Sequence, residues 1–293
     1  MLEAVPNVSE GRDVGAIEEI GRAFASQVAL LDVHTDADHH RSVFTVAGEP
    51  SALAESLLAG VSRAVELVDL REHDGVHPRV GVADVVPIVA LAPTDREHAN
   101  EIARGLARRI GTELGLAVFL YGEIGGGKRP AFFRRGGLAE LERRLEAGEL
   151  RPDAGPNRLD PRAGAVLVGA RAPLVAYNVE LATDDVRIAA AIAAEVRESG
   201  GGMPGVQAIG LDLPRSGRVQ VSMNVVDLER SPLHEVLERV AREAGSRGIA
   251  IAGGELVGLV PGSVLEAATA AGSVVPGVDE TRTLERALAL SSL

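Results

Sequence analysis

The order in which strand and helix periodicities follow one another constrains this chain more than any single motif. The apolar pattern of the first residues reads strand (Glu3 to Val8), helix (Val14 to Gln27), strand (Val28 to Val33), strand (Ser42 to Ala47), helix (Pro50 to Leu67), strand (Val82 to Leu91). One-sided apolar spacing marks both helices, at Ile17, Ile20 and Phe24 and again at Leu53, Leu57, Leu58, Val61 and Val65. Asp13 stands where an N-cap of the first helix belongs. Strand, helix, strand, strand, helix, strand is the βαββαβ order of a ferredoxin-like unit, an antiparallel sheet with helices on one face.

The order recurs without any repeat of the sequence itself. Leu174 to Leu181 reads as a strand, Thr183 as the cap of a helix through Ile188, Ile192 and Val196, and Val206 to Leu213 and Arg218 to Val226 as paired strands. A helix beginning at Ser231 and a strand Ile249 to Leu256 complete the set. Between the halves the pattern predicts a helix capped by Thr94 and reaching about Leu114, and a strand Ala117 to Tyr121. A glycine-rich loop from Gly122 to Pro130, a charged helix Gly137 to Glu146 and a connector Leu150 to Gly164 follow; Pro152, Pro156 and Pro161 keep the connector irregular. The tail, Pro261 to Leu293, reads as helical with a break at Pro276 and Gly277. The expected fold is therefore α+β: two ferredoxin-like (βαββαβ) subdomains, residues 1–178 and 179–293. Each sheet would have one bare apolar face, so the two sheets are expected to face each other across a ligand tunnel, with helices outside.

Charge and composition narrow the function. A formal net charge of −12 argues against a nucleic-acid partner, which needs a basic face. The aromatic content of 2%, with no Trp, leaves no stacking platform for single strands. The absence of Cys excludes disulfides, thiolate metal sites and Cys nucleophiles. No secretory signal is read at Met1 to Asp13 and no apolar run reaches membrane length, so a cytoplasmic protein with no membrane partner is expected.

The stretch Arg71 to Leu91, REHDGVHPRVGVADVVPIVAL, joins a polar half to an apolar half. Pro78 biases His77 toward an extended or turn conformation. An imidazole beside an arginine, Arg79, thus stands on a loop at the start of a core strand, a common setting for chemistry.

With these residues in view, the sequence resembles the glutamate formimidoyltransferase (formiminotransferase) family, which also forms the N-terminal part of formimidoyltransferase-cyclodeaminase. The resemblance is carried by VPNVSEGRD (Val5 to Asp13), HDGVHPRVGVADVVP (His73 to Pro87), FLYGE (Phe119 to Glu123), RPDAGP (Arg151 to Pro156), GAVLVGARAPLVAYNVEL (Gly164 to Leu181), VQAIGLDL (Val206 to Leu213), VQVSMNVVDL (Val219 to Leu228) and LVGLVP (Leu256 to Pro261). The stretches keep their order over essentially the whole chain, and the HPR string is the most specific of them. The resemblance implies transfer of the formimidoyl group of N-formimidoyl-L-glutamate to N5 of tetrahydrofolate, a step of histidine degradation, by two ferredoxin-like subdomains. It implies His77 as the catalytic histidine, tetrahydrofolate as the acceptor co-substrate and a homodimer. It further implies a folate-binding segment at Gly155, Pro156, Asn157, Arg158, Leu159, Asp160, Pro161, Arg162, Ala163 and Gly164; the ends of this segment, Gly155, Pro156 and Gly164, match the family best. A cyclodeaminase activity is not expected from this chain.

The chemistry suits these residues. The attacking nitrogen must lose a proton and the departing glutamate nitrogen must gain one, which a single imidazole can relay. No metal is expected, because an amidinium carbon is already electrophilic. Both substrates carry carboxylates, for which arginines are the natural partners. Arg41, Arg79, Arg162 and Arg171 are candidates, with ordinary surface charge as the alternative for each. Asp38, His39, Asp84 and Asn178 complete the substrate-binding set; a backbone-bonded carboxylate is the other reading of Asp84. Asn7, Glu10 and Asn224 stand at strand ends.

Two further readings have residues behind them. Asp36, Asp38, His39 and His40, with the HxxxH pair His73 and His77, have the residue types of a metal site, and so of a metal-dependent hydrolase of an imino substrate. A folate-binding protein without catalysis is the third. GEIGGGKRP (Gly122 to Pro130) lacks the G-x-x-x-x-G-K-[ST] form of a phosphate loop and reads as a lid or a plain loop.

Overall fold

A computed structural model describes residues 1–291, so the last two residues of the predicted tail and of the second subdomain lie outside the described residues. The chain divides into two compact units, Met1–Ala172 and a second opening at Pro173. The division precedes the boundary expected at 178/179, which would cut a strand.

In the first unit the elements are β1 (Leu2–Ala4), β2 (Asn7–Val8), α1 (Val14–Phe24), β3 (Ala29–Asp36), β4 (Arg41–Gly48), α2 (Pro50–Leu67), β5 (Ala83–Val89), α3 (Arg96–Glu113), β6 (Ala117–Gly122), α4 (Pro130–Arg134), α5 (Gly137–Glu146) and β7 (Ala165–Arg171). β1 and β2 are one strand interrupted at Pro6, lying between β4 and β5. Asp13 caps α1 by accepting from the Ala16 amide, as expected. Gly60 of α2 lets α1 come close: a Cβ there would stand 1.9 Å from the Phe24 ring. The apolar stripe of α2, with Leu53, Leu57 and Val61 fully buried, stabilises the docking by about 1.5–3 kcal/mol per side chain relative to exposure.

The antiparallel core β3–β4–β1/β2–β5 has the ferredoxin-like order. The expected antiparallel sheet is incomplete as a description, because β7 pairs in parallel with β5 and β6 in parallel with β7, making seven strands. Helices also lie on both faces. One core gathers residues of α1, α2 and α3; a second, with Phe119, Phe133, Leu141 and Leu145, covers the opposite face beneath α4 and α5. Double coverage explains why β5 and β7 read as unbroken apolar runs: Val166 and Val168 enter the first core, Ala165 and Leu167 the second.

The second unit holds β8 (Val175–Leu181), α6 (Val186–Val196), β9 (Val206–Leu213), β10 (Arg218–Val225), α7 (Leu233–Ser246), β11 (Ile251–Val257), α8 (Gly262–Ala270) and α9 (Leu284–Leu290). Its sheet runs β11–β8–β10–β9, antiparallel throughout and again in the ferredoxin-like order. Two predicted caps are replaced. Asp185 caps α6 while Thr183 receives the Asp185 amide, and Thr94 sits in a single 3-10 turn before α3. Among the described residues no helix is long and apolar enough to cross a membrane.

Candidate functional site

One end of the first unit's sheet gathers the polar residues. The register sets Asn7 of β2 opposite Val43 of β4 and Val85 of β5, which brings Asn7, Arg41 and Asp84 to one level. The string HTDADHHRS, predicted as a loop, is mostly strand: His34 to Asp36 end β3, Arg41 opens β4, and only residues 37–40 turn. At the turn, Asp36 Oδ1 accepts from the amides of Asp38 and His39, both at 2.8 Å. His40 has φ of 49°, the one positive value among the described non-glycine residues.

The loop preceding β5 is stitched to this turn. Val76 donates its amide to Asp38 O at 3.1 Å. His73 stacks on His40 at 4.3 Å between centroids; its Nε2 meets His40 O at 2.8 Å and its Nδ1 accepts from the Gly75 amide at 3.2 Å. Both nitrogens of His73 are thus engaged by backbone, and burial pushes its pKa down to about 4. Arg79 donates to Gly75 O at 2.9 Å and His73 O at 2.8 Å, fixing the loop's curvature. Ser9 pins the loop's other end through Gly81 O and Val82 O, each at 2.8 Å. The role of Ser9 was not read from the sequence.

His77 sits inside this frame. Its ring stands edge-on to His39 at 5.7 Å, and its Nδ1 is buried with no hydrogen-bond partner. Its pKa lies well below the ordinary 6.5, through burial first and then the positive charges of Arg41, Arg134 and His39, with a weak opposing influence of the Pro78 backbone. The imidazole is therefore neutral at neutral pH.

Beside it lies a buried charge cluster. Asp84, fully buried, accepts from the Val80 amide on Oδ1 at 2.8 Å and from Arg41 Nη1 on Oδ2 at 2.7 Å. The same Oδ2 accepts from Arg134 Nη2. Arg41 also donates from Nε to Asn7 Oδ1 at 3.0 Å. Burial would raise the Asp84 pKa, but Arg134 and Arg41 hold it below the usual carboxylate range. Two guanidinium groups share one carboxylate, which leaves a net positive charge beside His77. Arg134 was not among the candidates. It comes from α4, within the string KRPAFFRR, whose only sequence signal is a rare pair of aromatics flanked by basic residues.

The remaining candidates divide. His39 sets its Nδ1 3.1 Å from Asp36 Oδ2. Arg171 bonds the Tyr121 hydroxyl and Ala172 O. Asn178 belongs to the second unit, where its amide donates to Glu255 at 3.2 Å. The Gly155–Gly164 segment is joined by backbone to the His77 loop: Leu70 donates to Arg162 O and Val82 to Ala163 O, both at 2.9 Å, and Gly81 bridges Gly164. Gly155 and Gly164 have positive φ and nearly touch backbone, since a Cβ would stand 1.9 Å from Leu116 O and 2.3 Å from Val80 O. Leu159 and Ala163 point into the cores, whereas Asn157, Arg158, Asp160, Pro161 and Arg162 are exposed. Arg162 pairs with Asp69 at 3.1 Å. Among the described residues no three His, Asp or Glu side chains gather as a metal-ligating group, and one ring of the HxxxH pair, His73, has both nitrogens engaged by backbone.

Two family models match the chain. The formiminotransferase domain, N-terminal subdomain, covers residues 1–171 and the formiminotransferase domain covers residues 176–273. The chain is 37% identical over 295 residues to a glutamate formimidoyltransferase of Thermoplasma acidophilum, covering 98% of this chain and 96% of that one. It is 38% identical to one of Streptococcus pyogenes, covering 90% of each. It is 39% identical to a formimidoyltransferase-cyclodeaminase of Gallus gallus, over 89% of this chain and 50% of that longer protein.

Proposed function

The chain belongs to the formiminotransferase family, and from that premise we propose that it transfers the formimidoyl group of N-formimidoyl-L-glutamate to N5 of tetrahydrofolate, with His77 as the proton shuttle. N5 attacks the formimidoyl carbon and its proton passes to His77. The carbon–nitrogen bond to glutamate then breaks as His77 returns the proton to the departing nitrogen, leaving L-glutamate and 5-formimidoyltetrahydrofolate.

The observation that carries this reading is the state of His77: a neutral imidazole with an unpartnered buried Nδ1, held beside a net positive cluster. A neutral ring can accept a proton, and with its pKa depressed its conjugate acid gives the proton up readily. His39 stands edge-on to the same ring, and Asp38 ties their turn to the loop by accepting the Val76 amide on its carbonyl. The folate segment Gly155–Gly164 is proposed as the acceptor's platform because its backbone is tied to the loop that presents His77. The hydrolase reading loses its main support because His73 has no nitrogen left for a metal.

The test is an assay of purified protein with formimidoylglutamate and tetrahydrofolate, following both products. His77→Ala is expected to lower kcat by roughly 10²–10⁴-fold, the usual contribution of a positioned acid–base group, with circular dichroism unchanged. A folded His77→Ala protein that turns over near the wild-type rate would end the shuttle assignment.

A further inference from the structure

The arginines of the first unit differ in what they have left to offer. Arg79 spends its Nη groups on loop carbonyls, Arg171 bonds Tyr121 and Ala172, Arg162 is exposed against Asp69, and Arg12 pairs with Asp74 and Ala37 O. Arg41 and Arg134 alone among these divide a single buried carboxylate between them. Their excess charge is largely withdrawn from water, Arg41 being buried and Arg134 half-buried, and calls for an anion. Arg134 also retains a buried Nε–H with no partner, as Arg79 does, but only Arg134 combines it with a shared carboxylate; buried donors are seldom left unpaired unless something else occupies the place. His77 Nδ1, in the same cluster, is in the same condition.

Arg134 is held in place by its neighbours. Phe133 is almost fully buried and packs on Phe119 at 5.2 Å. Arg144 lies 4.4 Å over the Phe132 ring and donates to Phe132 O at 2.9 Å. α4 starts at Pro130 and is followed by Gly136 and Gly137, both with positive φ, so the chain turns sharply after the residue it delivers. A short helix anchored by three contacts, ending in a guanidinium aimed at a carboxylate already served by Arg41, is more than that ion pair requires.

We propose that Arg134 binds the donor: its guanidinium and that of Arg41 grip one carboxylate of the formimidoyl-bearing amino acid, while Asp84 holds the two arginines in register. This rests on the formimidoyl-transfer reading above. Both arginines lie close enough to His77 to depress its pKa, so the grip would hold the donor beside that ring, and a planar guanidinium fork suits a carboxylate better than an ammonium does.

The test uses two variants and two donors. Arg134→Lys keeps a cation against Asp84 but removes the Nε–H and the fork; Arg134→Gln removes the charge. Both are expected to raise the KM for formimidoylglutamate roughly tenfold or more, the scale of a lost charge-assisted bond, with the KM for tetrahydrofolate within about twofold of wild type. Formimidoyl donors with one carboxylate converted to an amide should lose most of their disadvantage in the variants, because the partner of that carboxylate is already gone. Thermal melting of Arg134→Lys near the wild-type temperature separates binding from folding. Unchanged donor KM in both variants, a rise in the tetrahydrofolate KM instead, or an equal loss with acid and amide donors would each overturn the assignment while wild-type turnover stands. A wild-type protein that transfers from no formimidoyl donor would sink the transfer reading and this proposal together.

Discussion

Replacing Asp84 with asparagine tests the electrostatic frame of the site. The carboxylate is fully buried and satisfies the Val80 amide, Arg41 and Arg134 at once. The substituted side-chain amide would keep the volume and an oxygen for one donor, but it would leave a buried guanidinium, Arg41, and a half-buried one, Arg134, with no counter-charge. Removing one partner of a buried ion pair costs about 3–5 kcal/mol, because the remaining charge stays desolvated. For a unit of this size each kcal/mol shifts the melting temperature by roughly 2–4 °C, so Asp84→Asn is expected to melt about 6–20 °C lower at pH 7. Urea unfolding of the full chain, followed by circular dichroism, measures the loss directly. The sign of its pH dependence follows from the pKa. Asp84 is held below the ordinary 3.8, so its stabilisation is present above that pH and fades as pH falls through the folded value. The gap between wild type and variant should therefore be full at pH 7 and narrow only below about pH 4. A variant that loses less than about 1 kcal/mol at pH 7, or a gap that stays constant into acid, would refute the shared-carboxylate account.

Other outcomes follow from the same geometry. Because the His77 pKa is depressed below 6.5, the acid limb of kcat/KM is expected below that pH, with no loss of rate between pH 8 and pH 6.5 from this group; a titration of kcat/KM checks it. His73 is neutral in the fold down to about pH 4, whereas the unfolded chain takes a proton near pH 6.5. Stability should therefore decline as pH falls from 6.5 towards 4, and His73→Gln should flatten that part of the profile in urea midpoints. Gly81→Ala would drive a Cβ to 1.8 Å from Ala165 O, a backbone atom, and is expected to cost roughly 1–3 kcal/mol or more by urea unfolding, since the loop and β7 must separate.

The helices α2 and α5 have the limits that their periodicity predicts, and His77 stands on a loop before a core strand as its proline and the apolar run after it imply. The polar string around His39 deceived because β3 is an edge strand, whose outward residues need not be apolar. The strand Ala117 to Tyr121 was read, but the parallel pairing of β6 and β7 was hidden for a different reason. Their pairing joins segments far apart in the chain, and periodicity reports burial without naming the partner.

By itself the sequence determined the two βαββαβ orders and the placing of an imidazole beside a core strand, because these follow from side-chain spacing over a few residues and from the restriction that proline puts on its neighbour. Tertiary structure alone decided which charges lack a full partner. Arg134 is 50 residues from Asp84, and only when the fold brings them together does one buried carboxylate face two guanidinium groups beside a neutral ring. Burial converts ordinary side chains into a charged, desolvated site, and it depends on contacts that no local stretch of sequence contains.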